Sequence, residues 1–297
     1  TPKVPHASHM MTHTYTRLGK WDSAIEWNNI SAGTALEICI DNGAVNSHYP
    51  HAMDYLVFAH LQKGDDEAAA KLEEDLFSLD IQEYEKSGQR AIAYAFTAVP
   101  ARNSMESKDW QTAITLTPKS PAYFPWIDAD KRDIGNTHFA RALGFSRLGR
   151  PDEATADIEL LAEMAATLPP MNGLEYYRMK IDSQLLGARA WQYLANGDTE
   201  NALALMKEAS KQEATSKNAP SNPGDILPAE ELLGDMLPGL EAVKDVEVLV
   251  CPTFTVLAAV SDILKNSSVA LGAQNIYWEN SGAFTGEISP AMVAEYC

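Results

Sequence analysis

Three histidines near the start of the chain have the spacing of a ligand site. His6, His9 and His13 fall at positions i, i+3 and i+7, so a helix through them places all three rings along one face. Neutral imidazole nitrogens bind Zn²⁺ and related metals, and two histidines four residues apart, such as His9 and His13, can share one ion. His6, His9 and His13 are therefore a candidate ligand stripe.

The same stripe also fits a purely structural role. Histidines that are buried, neutral and hydrogen-bonded to neighbours would show this spacing, and so would a polar face. His48, His51 and His60 belong to the next helical segment and could come near the stripe. Asp54 is the additional ligand candidate that stands out in that region. Both alternatives stay open; ligand count favours the structural one, so we assign no metal, no cofactor and no catalytic residue.

Five turn-and-helix segments recur along the chain, and the helices they predict would position the histidine stripe. They start at intervals of 41 to 48 residues, at Gly19, Gly64, Lys108, Gly149 and Gly197, and they read GKWDSAI, GDDEAAA, KDWQTAI, GRPDEAT and GDTENAL. Glycine suits the positive φ at a helix end, and Asp, Ser or Thr beside the turn can cap the next helix. In each segment an alanine falls five positions after the start: Ala24, Ala69, Ala113, Ala154 and Ala202. Since a small side chain lets two helices approach closely, the pattern predicts five helical hairpins.

This pattern resembles the tetratricopeptide repeat (TPR) family over roughly residues 10–236. The stretches PHASHMMTHTYTRLGKW, HAMDYLVFAHLQKGD and LPAEELLGDML look more narrowly like a bacterial subfamily of such proteins. The resemblance implies an α-hairpin solenoid whose concave groove binds a protein or peptide. The intervals exceed the family's usual length of about 34 residues. We therefore expect long loops between hairpins, at 119–133 and 168–173, and an irregular superhelix.

A different pattern begins after the Pro-, Asn- and Ser-rich stretch 218–228. Ala229–Leu237 has helical character and predicts the first helix of a sixth hairpin, whose second helix does not follow. Val246–Val250 and Val269–Gln274 are short and apolar and predict two buried strands, with a helix at Val256–Leu264 between them. Together these segments predict a parallel, right-handed β-α-β unit. A final helix is expected to start with Ser289 as its N-cap and Pro290 in its first turn.

The last residues resemble triosephosphate isomerase. The strings LPGLEAVKDVE, VEVLVCPTFTVLAAV and ALGAQNIYWENSGAFTGEISPAM carry the resemblance over roughly residues 237–297. It implies a piece of an eight-stranded α/β barrel whose enzymes interconvert glyceraldehyde 3-phosphate and dihydroxyacetone phosphate. The family's catalytic Asn, Lys, His and Glu have no counterpart in this sequence. On the same resemblance, Asn275, Thr285 and Glu287 would be dimer-interface residues rather than catalysts.

Composition excludes several classes of function. With 23 basic and 41 acidic residues, the formal net charge of −18 argues against a nucleic-acid partner, which needs a basic surface. No apolar run reaches the roughly 18 residues of a membrane span, which argues against a membrane partner. Cys39, Cys251 and Cys297 are far apart and odd in number, which excludes a disulfide framework and fits a reducing compartment such as the cytoplasm.

Taken together, the residues predict a mainly α protein in two parts. Residues 1–236 form five TPR-like hairpins and the start of a sixth, and residues 237–297 form a triosephosphate-isomerase-like β-α-β fragment. Because both parts look incomplete, we expect a truncated or chimeric chain joined near Leu237 and Pro238. The predicted function is a non-catalytic interaction scaffold for a protein or peptide; the alternative is triosephosphate isomerase activity. A small parallel sheet with an open edge also predicts self-association through the C-terminal fragment.

Overall fold

In a computed structural model the chain is mainly helical and divides into two compact units, Thr1–Leu227 and Pro228–Cys297. The structure describes residues 4–81, 83–168, 175–215, 223, 226, 228, 232, 249–252, 256–265, 267, 269–274, 276, 277, 279 and 288–296. The predicted junction between residues 236 and 237 lies outside these residues, as does most of the predicted helix Ala229–Leu237.

The described helices of the first unit pair into five hairpins. In chain order they are α1 (Pro5–Arg17), α2 (Trp21–Asn42), α3 (His48–Gln62), α4 (Asp66–Phe77), α5 (Gln89–Glu106), α6 (Trp110–Thr115), α7 (Lys131–Arg147), α8 (Pro151–Thr167), α9 (Glu175–Ala195) and α10 (Thr199–Thr215). Each odd-numbered helix packs on the even-numbered helix that follows it. The first helices also pack side by side, α1 with α3, α3 with α5, α5 with α7 and α7 with α9.

The hairpin turns lie where the sequence predicts them. All five first residues of the repeated segments have positive φ: Gly19 (63°), Gly64 (71°), Lys108 (59°), Gly149 (71°) and Gly197 (83°). The five alanines that follow these turns are at most 1% exposed. Small residues therefore stand where the two helices of each hairpin approach most closely.

Helix starts follow the predicted capping in three of the five second helices. Asp65, Asp109 and Asp198 each accept a hydrogen bond from the backbone N–H three residues later. α2 and α8 begin without a side-chain cap, and α8 instead has Pro151 in its first turn, where a missing N–H costs nothing.

The core of the first hairpins is apolar and continuous. Buried side chains of α2, α3, α4 and α5 meet in one cluster that includes Tyr49, Leu56, Leu76, Phe96 and Phe124. Phe124 comes from the segment between α6 and α7, so this segment is packed rather than loose. The predicted loop 119–133 extends too far at its C-terminal end. A 3₁₀ turn at Asp128–Asp130 leads directly into α7, which begins at Lys131.

In the second unit, β1 (Leu249–Val250) and β2 (Ala270–Leu271) are parallel, with Leu249 opposite Ala270. Helix α11 (Leu257–Leu264) connects them, as predicted. β2 is shorter than the predicted Val269–Gln274, whereas residues 246–248 of the first predicted strand, Val246–Val250, lie outside the described part. The prediction of a fully buried first strand is wrong, because the side chain of Leu249 is 55% exposed. So small a sheet cannot cover both of its faces.

The last described helix, α12 (Pro290–Val293), starts as the sequence predicts. The Ser289 hydroxyl accepts a hydrogen bond from the Met292 N–H at 3.3 Å, and Pro290 occupies the first helical position. None of the described helices combines the length and apolar character that crossing a membrane requires.

Candidate functional site

The histidine stripe becomes a cluster of three histidines from two helices. His9 and His13 project from α1 toward His51 on α3, and one ring nitrogen from each of the three lies within 4.8 Å of the other two. His9 is buried, whereas His13 and His51 are half-buried. The Nε2 atoms of His9 and His13 are 3.1 Å apart, and the ring centres of His9 and His51 are 4.3 Å apart.

Neighbouring polar groups orient two of these rings. The Nδ1 of His9 lies 2.8 Å from the Oδ1 of Asn28 on α2. Because an amide oxygen can only accept, Nδ1 carries the proton and Nε2 of neutral His9 keeps a lone pair. Nε2 of His13 therefore donates to Nε2 of His9 at 3.1 Å, and the Tyr55 hydroxyl donates to Nδ1 of His13 at 2.8 Å.

Burial keeps the cluster uncharged. Burial, with smaller contributions from the nearby rings of His13 and His6, lowers the pKa of His9 from 6.5 to about 4. Burial also lowers the pKa of His13, and it lowers the pKa of His51 well below 6.5. The three rings are therefore neutral at pH 7, which is the form that can coordinate a cation.

The other histidines named as possible ligands, His6, His48 and His60, lie outside the group of three close nitrogens. The His6 ring stacks on His9 at 6.4 Å and contacts His48 at 5.5 Å, so both flank the cluster without joining the three close nitrogens. His60 lies toward the other end of α3 and bonds Asp65 at 3.0 Å. The sequence had named His51 among the histidines that could come near the stripe, but it did not connect Asn28 or Tyr55 with it. The four-residue spacing of His51 and Tyr55 on one helix face was the available signal for Tyr55.

Asp54, the other ligand candidate, belongs to a buried ion pair instead. Its Oδ1 lies 3.5 Å from the Nε of Arg102 on α5, and both side chains are 0% exposed. Burial raises the pKa of Asp54, and the Arg102 charge opposes that rise. The guanidinium also lies over the Phe58 ring at 5.0 Å and 3.7 Å from Glu106. This pair ties α3 to α5.

A second buried polar group connects α5, α7 and α9, the first helices of three successive hairpins. The Asn136 amide on α7 donates to the Thr97 hydroxyl on α5 at 3.1 Å. Its carbonyl oxygen accepts from Lys180 at 3.1 Å and from Gln184 at 3.0 Å, both on α9. Polar side chains therefore set the register between first helices of successive hairpins.

A cleft of about 600 Å³ opens between residues 116–118, α7 and α8. Its apolar lining includes Leu116, Pro118 and Leu160, and Leu160 is 40% exposed. Asp152 adds exposed negative charge, whereas the carboxylate of exposed Glu153 accepts from the Arg150 guanidinium at 2.5 and 2.6 Å. Such a cleft is suited to a cationic side chain that carries apolar neighbours.

The floor of this cleft is rigidly held. Buried Asp157 lies 2.7 Å from the Nδ1 of His138 and accepts from the Nε of Arg141 at 3.0 Å. Arg141 also donates to the backbone oxygens of Ile114 and Leu116, at 2.8 and 3.1 Å. Asp157 is thus neutralised by its partners and Glu153 is paired with Arg150 at 2.5 and 2.6 Å, so exposed Asp152 gives the rim of the cleft its negative charge.

The interface residues expected from the resemblance in the C-terminal part cannot be placed. Asn275, Thr285 and Glu287 all lie outside the described residues. The geometry on which a functional assignment can rest is therefore that of the helical unit.

Comparison with known proteins finds relatives of the C-terminal residues. The family described as triosephosphate isomerase matches residues 224–297, a stretch that begins before the predicted junction. The triosephosphate isomerase of Chloroflexus aurantiacus is 51% identical over 67 residues, which cover 23% of this chain and 27% of that protein. The triosephosphate isomerase of Endomicrobium trichonymphae is 57% identical over 53 residues, covering 18% of this chain and 21% of that protein. No solved structure matches.

These matches define one part of the chain. The family match starts at residue 224, so it does not bear on the helical hairpins or on their resemblance to tetratricopeptide repeats. The chain spans about a quarter of the length of the curated relatives it matches. Its C-terminal part is accordingly similar to a fragment of triosephosphate isomerase.

Proposed function

We propose that the helical unit is a non-catalytic, TPR-like scaffold that binds a segment of another protein. The observation that carries this proposal is the acid-rimmed, partly apolar cleft between residues 116–118, α7 and α8. A stack of hairpins held in register by buried polar groups provides a rigid frame for such a surface, as in other helical-repeat proteins.

The cleft favours a short basic and apolar segment as its ligand. Asp152 supplies an exposed negative charge at the rim, and Leu160 supplies exposed apolar area beside it. A Lys or Arg side chain can lay its apolar stem along Leu160 while its charged end faces the acidic rim. Charge complementarity of this kind selects partners and speeds their encounter.

Selection of displayed peptides on the purified chain tests the proposal. We expect enrichment of sequences that place Lys or Arg next to apolar residues, and weaker binding by Asp152→Asn and Leu160→Ser. Glu159→Gln is the matched control, since Glu159 is exposed on the same helix but does not line the cleft. Failure to enrich any peptide, or equal binding by Asp152→Asn, Leu160→Ser and the control, would contradict the proposal.

Triosephosphate isomerase activity is the second candidate, favoured by the family match at residues 224–297. We propose that this chain lacks that activity, because the Asn, Lys, His and Glu on which the family depends have no counterpart in its sequence. A coupled assay with glyceraldehyde 3-phosphate tests this, with an added active isomerase as positive control. Turnover that rises in proportion to the concentration of purified chain would overturn the claim.

A further inference from the structure

We propose that His9, His13 and His51 form a binding site for a divalent transition metal of the Zn²⁺ class. The site goes beyond the scaffold function, which needs no metal. It would use three imidazole nitrogens and leave a fourth position for water or an external ligand, the arrangement found in open three-histidine zinc sites.

The separation of the first two nitrogens suits a shared ion. Two ligands bound at about 2.05 Å with a tetrahedral angle lie roughly 3.3 Å apart. The Nε2 atoms of His9 and His13 are 3.1 Å apart, so these two rings need almost no movement to share a metal. Their four-residue spacing on α1 holds this geometry through the helix itself.

The third ligand closes the site from another helix. The nitrogens of the three rings lie within 4.8 Å of one another, so the widest separation shortens by about 1.5 Å on binding. A rotation of the half-buried His51 side chain provides a movement of this size. Ligands from α1 and α3 are contributed by two hairpins, so the ion would bind the folded stack and not a single isolated helix.

Groups around the ligands can support the coordinating form once a metal displaces the proton on Nε2 of His13. Asn28 fixes His9 with its proton on Nδ1 and its lone pair on Nε2, directed toward His13. Tyr55 can accept from Nδ1 of His13, and that tautomer frees Nε2 for the metal. Hydrogen bonds from the second ring nitrogen to such acceptors are a regular feature of metal-bound histidines.

The donor set selects the class of metal. Three neutral nitrogens suit Zn²⁺, Cu²⁺, Ni²⁺ or Co²⁺, whereas Mg²⁺ and Ca²⁺ prefer oxygen ligands. A tetrahedral arrangement with one open position favours Zn²⁺, and Co²⁺ can replace it as a coloured probe of the same geometry.

The test uses the full, untagged chain after removal of metal by a chelator. We expect one Zn²⁺ per chain to survive gel filtration. Co²⁺ should give the intense visible absorption of four-coordinate geometry. His13→Gln and His51→Gln should each weaken Zn²⁺ binding by about 100-fold or more, above the 10–100-fold typical for loss of an outer partner. His60→Gln is the matched control, because that ring bonds Asp65 away from the cluster.

The remaining outcomes of this test either support or overturn the proposed metal site. Loss of the Co²⁺ absorption in His51→Gln, with the helical circular dichroism of the metal-free chain unchanged, supports the site even if His9→Gln fails to fold. No retained Zn²⁺, a weak six-coordinate Co²⁺ spectrum, or equal loss of binding in His60→Gln would overturn it.

Discussion

The Nδ1 of His9 on α1 donates to the Oδ1 of Asn28 on α2 across 2.8 Å, and both side chains are buried. This bond fixes the tautomer of His9 and joins the two helices of the first hairpin. Asn28 is held in turn by its own donation to the Ala24 backbone oxygen at 3.0 Å. The orientation of the central ring of the histidine cluster thus depends on a residue outside the three proposed ligands.

Replacing Asn28 should weaken metal binding without removing a ligand. Asn28→Leu leaves Nδ1 of His9 without its acceptor, so we expect Zn²⁺ affinity to fall about 10–100-fold. Asn28→Asp keeps an acceptor and should retain most of the affinity. A competition titration against a coloured chelator measures the change, with Asn29→Leu as control because Asn29 is exposed on the same helix. Equal affinities in Asn28→Leu and Asn29→Leu would contradict the positioning role.

The metal-free chain should lose stability as the pH falls through the histidine range. The folded pKa of His9 is about 4, whereas the unfolded ring titrates near 6.5. Between these values the unfolded state binds more protons than the folded state. The contribution of His9 to the free energy of unfolding is therefore fully present above pH 6.5 and is lost as the pH falls toward 4. The share of His9 is at most about 3 kcal/mol. The groups facing the ring are His6 and His13 on α1, Asn28 on α2, and His48, His51 and Tyr55 on α3.

Urea unfolding at a series of pH values measures this effect. His9→Gln should flatten the pH dependence between 6.5 and about 4, because its side chain does not titrate. His60→Gln should leave the dependence intact, since His60 lies outside the cluster. A pH profile of His9→Gln identical to that of the unmodified chain would refute the assignment of the effect to His9.

Two glycines of α7 should respond to alanine in opposite directions. A Cβ at Gly144 would lie 3.0 Å from Ile114 Cγ2 and 3.1 Å from the Trp110 oxygen, so we expect Gly144→Ala to cost about 1–3 kcal/mol. A Cβ at Gly135 would meet Ile181 and Leu161 at an ordinary 3.6 Å. Gly135→Ala should therefore stabilise by about 0.5–1 kcal/mol through helix propensity. Chemical denaturation of the two variants makes the comparison; equal effects would contradict the close approach of α6 and α7.

The third hairpin turn has Lys108 where the other four turns have glycine, and glycine at this position should stabilise the protein. Lys108 has a φ of 59°, a left-handed conformation that costs a residue with a Cβ about 1–2 kcal/mol. Lys108→Gly should raise the free energy of unfolding by about 1 kcal/mol. Gly149→Lys, at a φ of 71°, should lower it by a similar amount. Thermal and urea unfolding measure both, and destabilisation by Lys108→Gly would contradict the strain.

Replacing one partner of the buried ion pair between α3 and α5 should lower the free energy of unfolding more than replacing both partners. Arg102→Met leaves the Asp54 carboxylate buried without its cation, so we expect a loss of about 3–5 kcal/mol. Asp54→Leu combined with Arg102→Met should recover part of that loss. A double-mutant cycle measures the coupling, and additive effects of the two substitutions would show that the 3.5 Å contact contributes nothing.

Local chemistry alone determined the hairpins and the β-α-β segment. The positive φ at Gly64 and the Asp65 cap that follows it act within one turn of chain, so these residues predict where α3 ends and α4 begins. The same holds for Ser289 and Pro290 at the start of α12. The length of β2 was overestimated because pairing depends on the partner strand and not on apolar residues alone.

The tertiary structure decided which side chains meet. His9 and His13 lie on one helix face by sequence spacing, but His51 joins them because α1 and α3 pack side by side. Asp54 resembled a ligand in sequence and became an ion-pair partner of Arg102, from a helix one hairpin further along. Turns and caps are local, whereas a cluster drawn from α1 and α3 depends on how whole hairpins stack, which no single segment encodes.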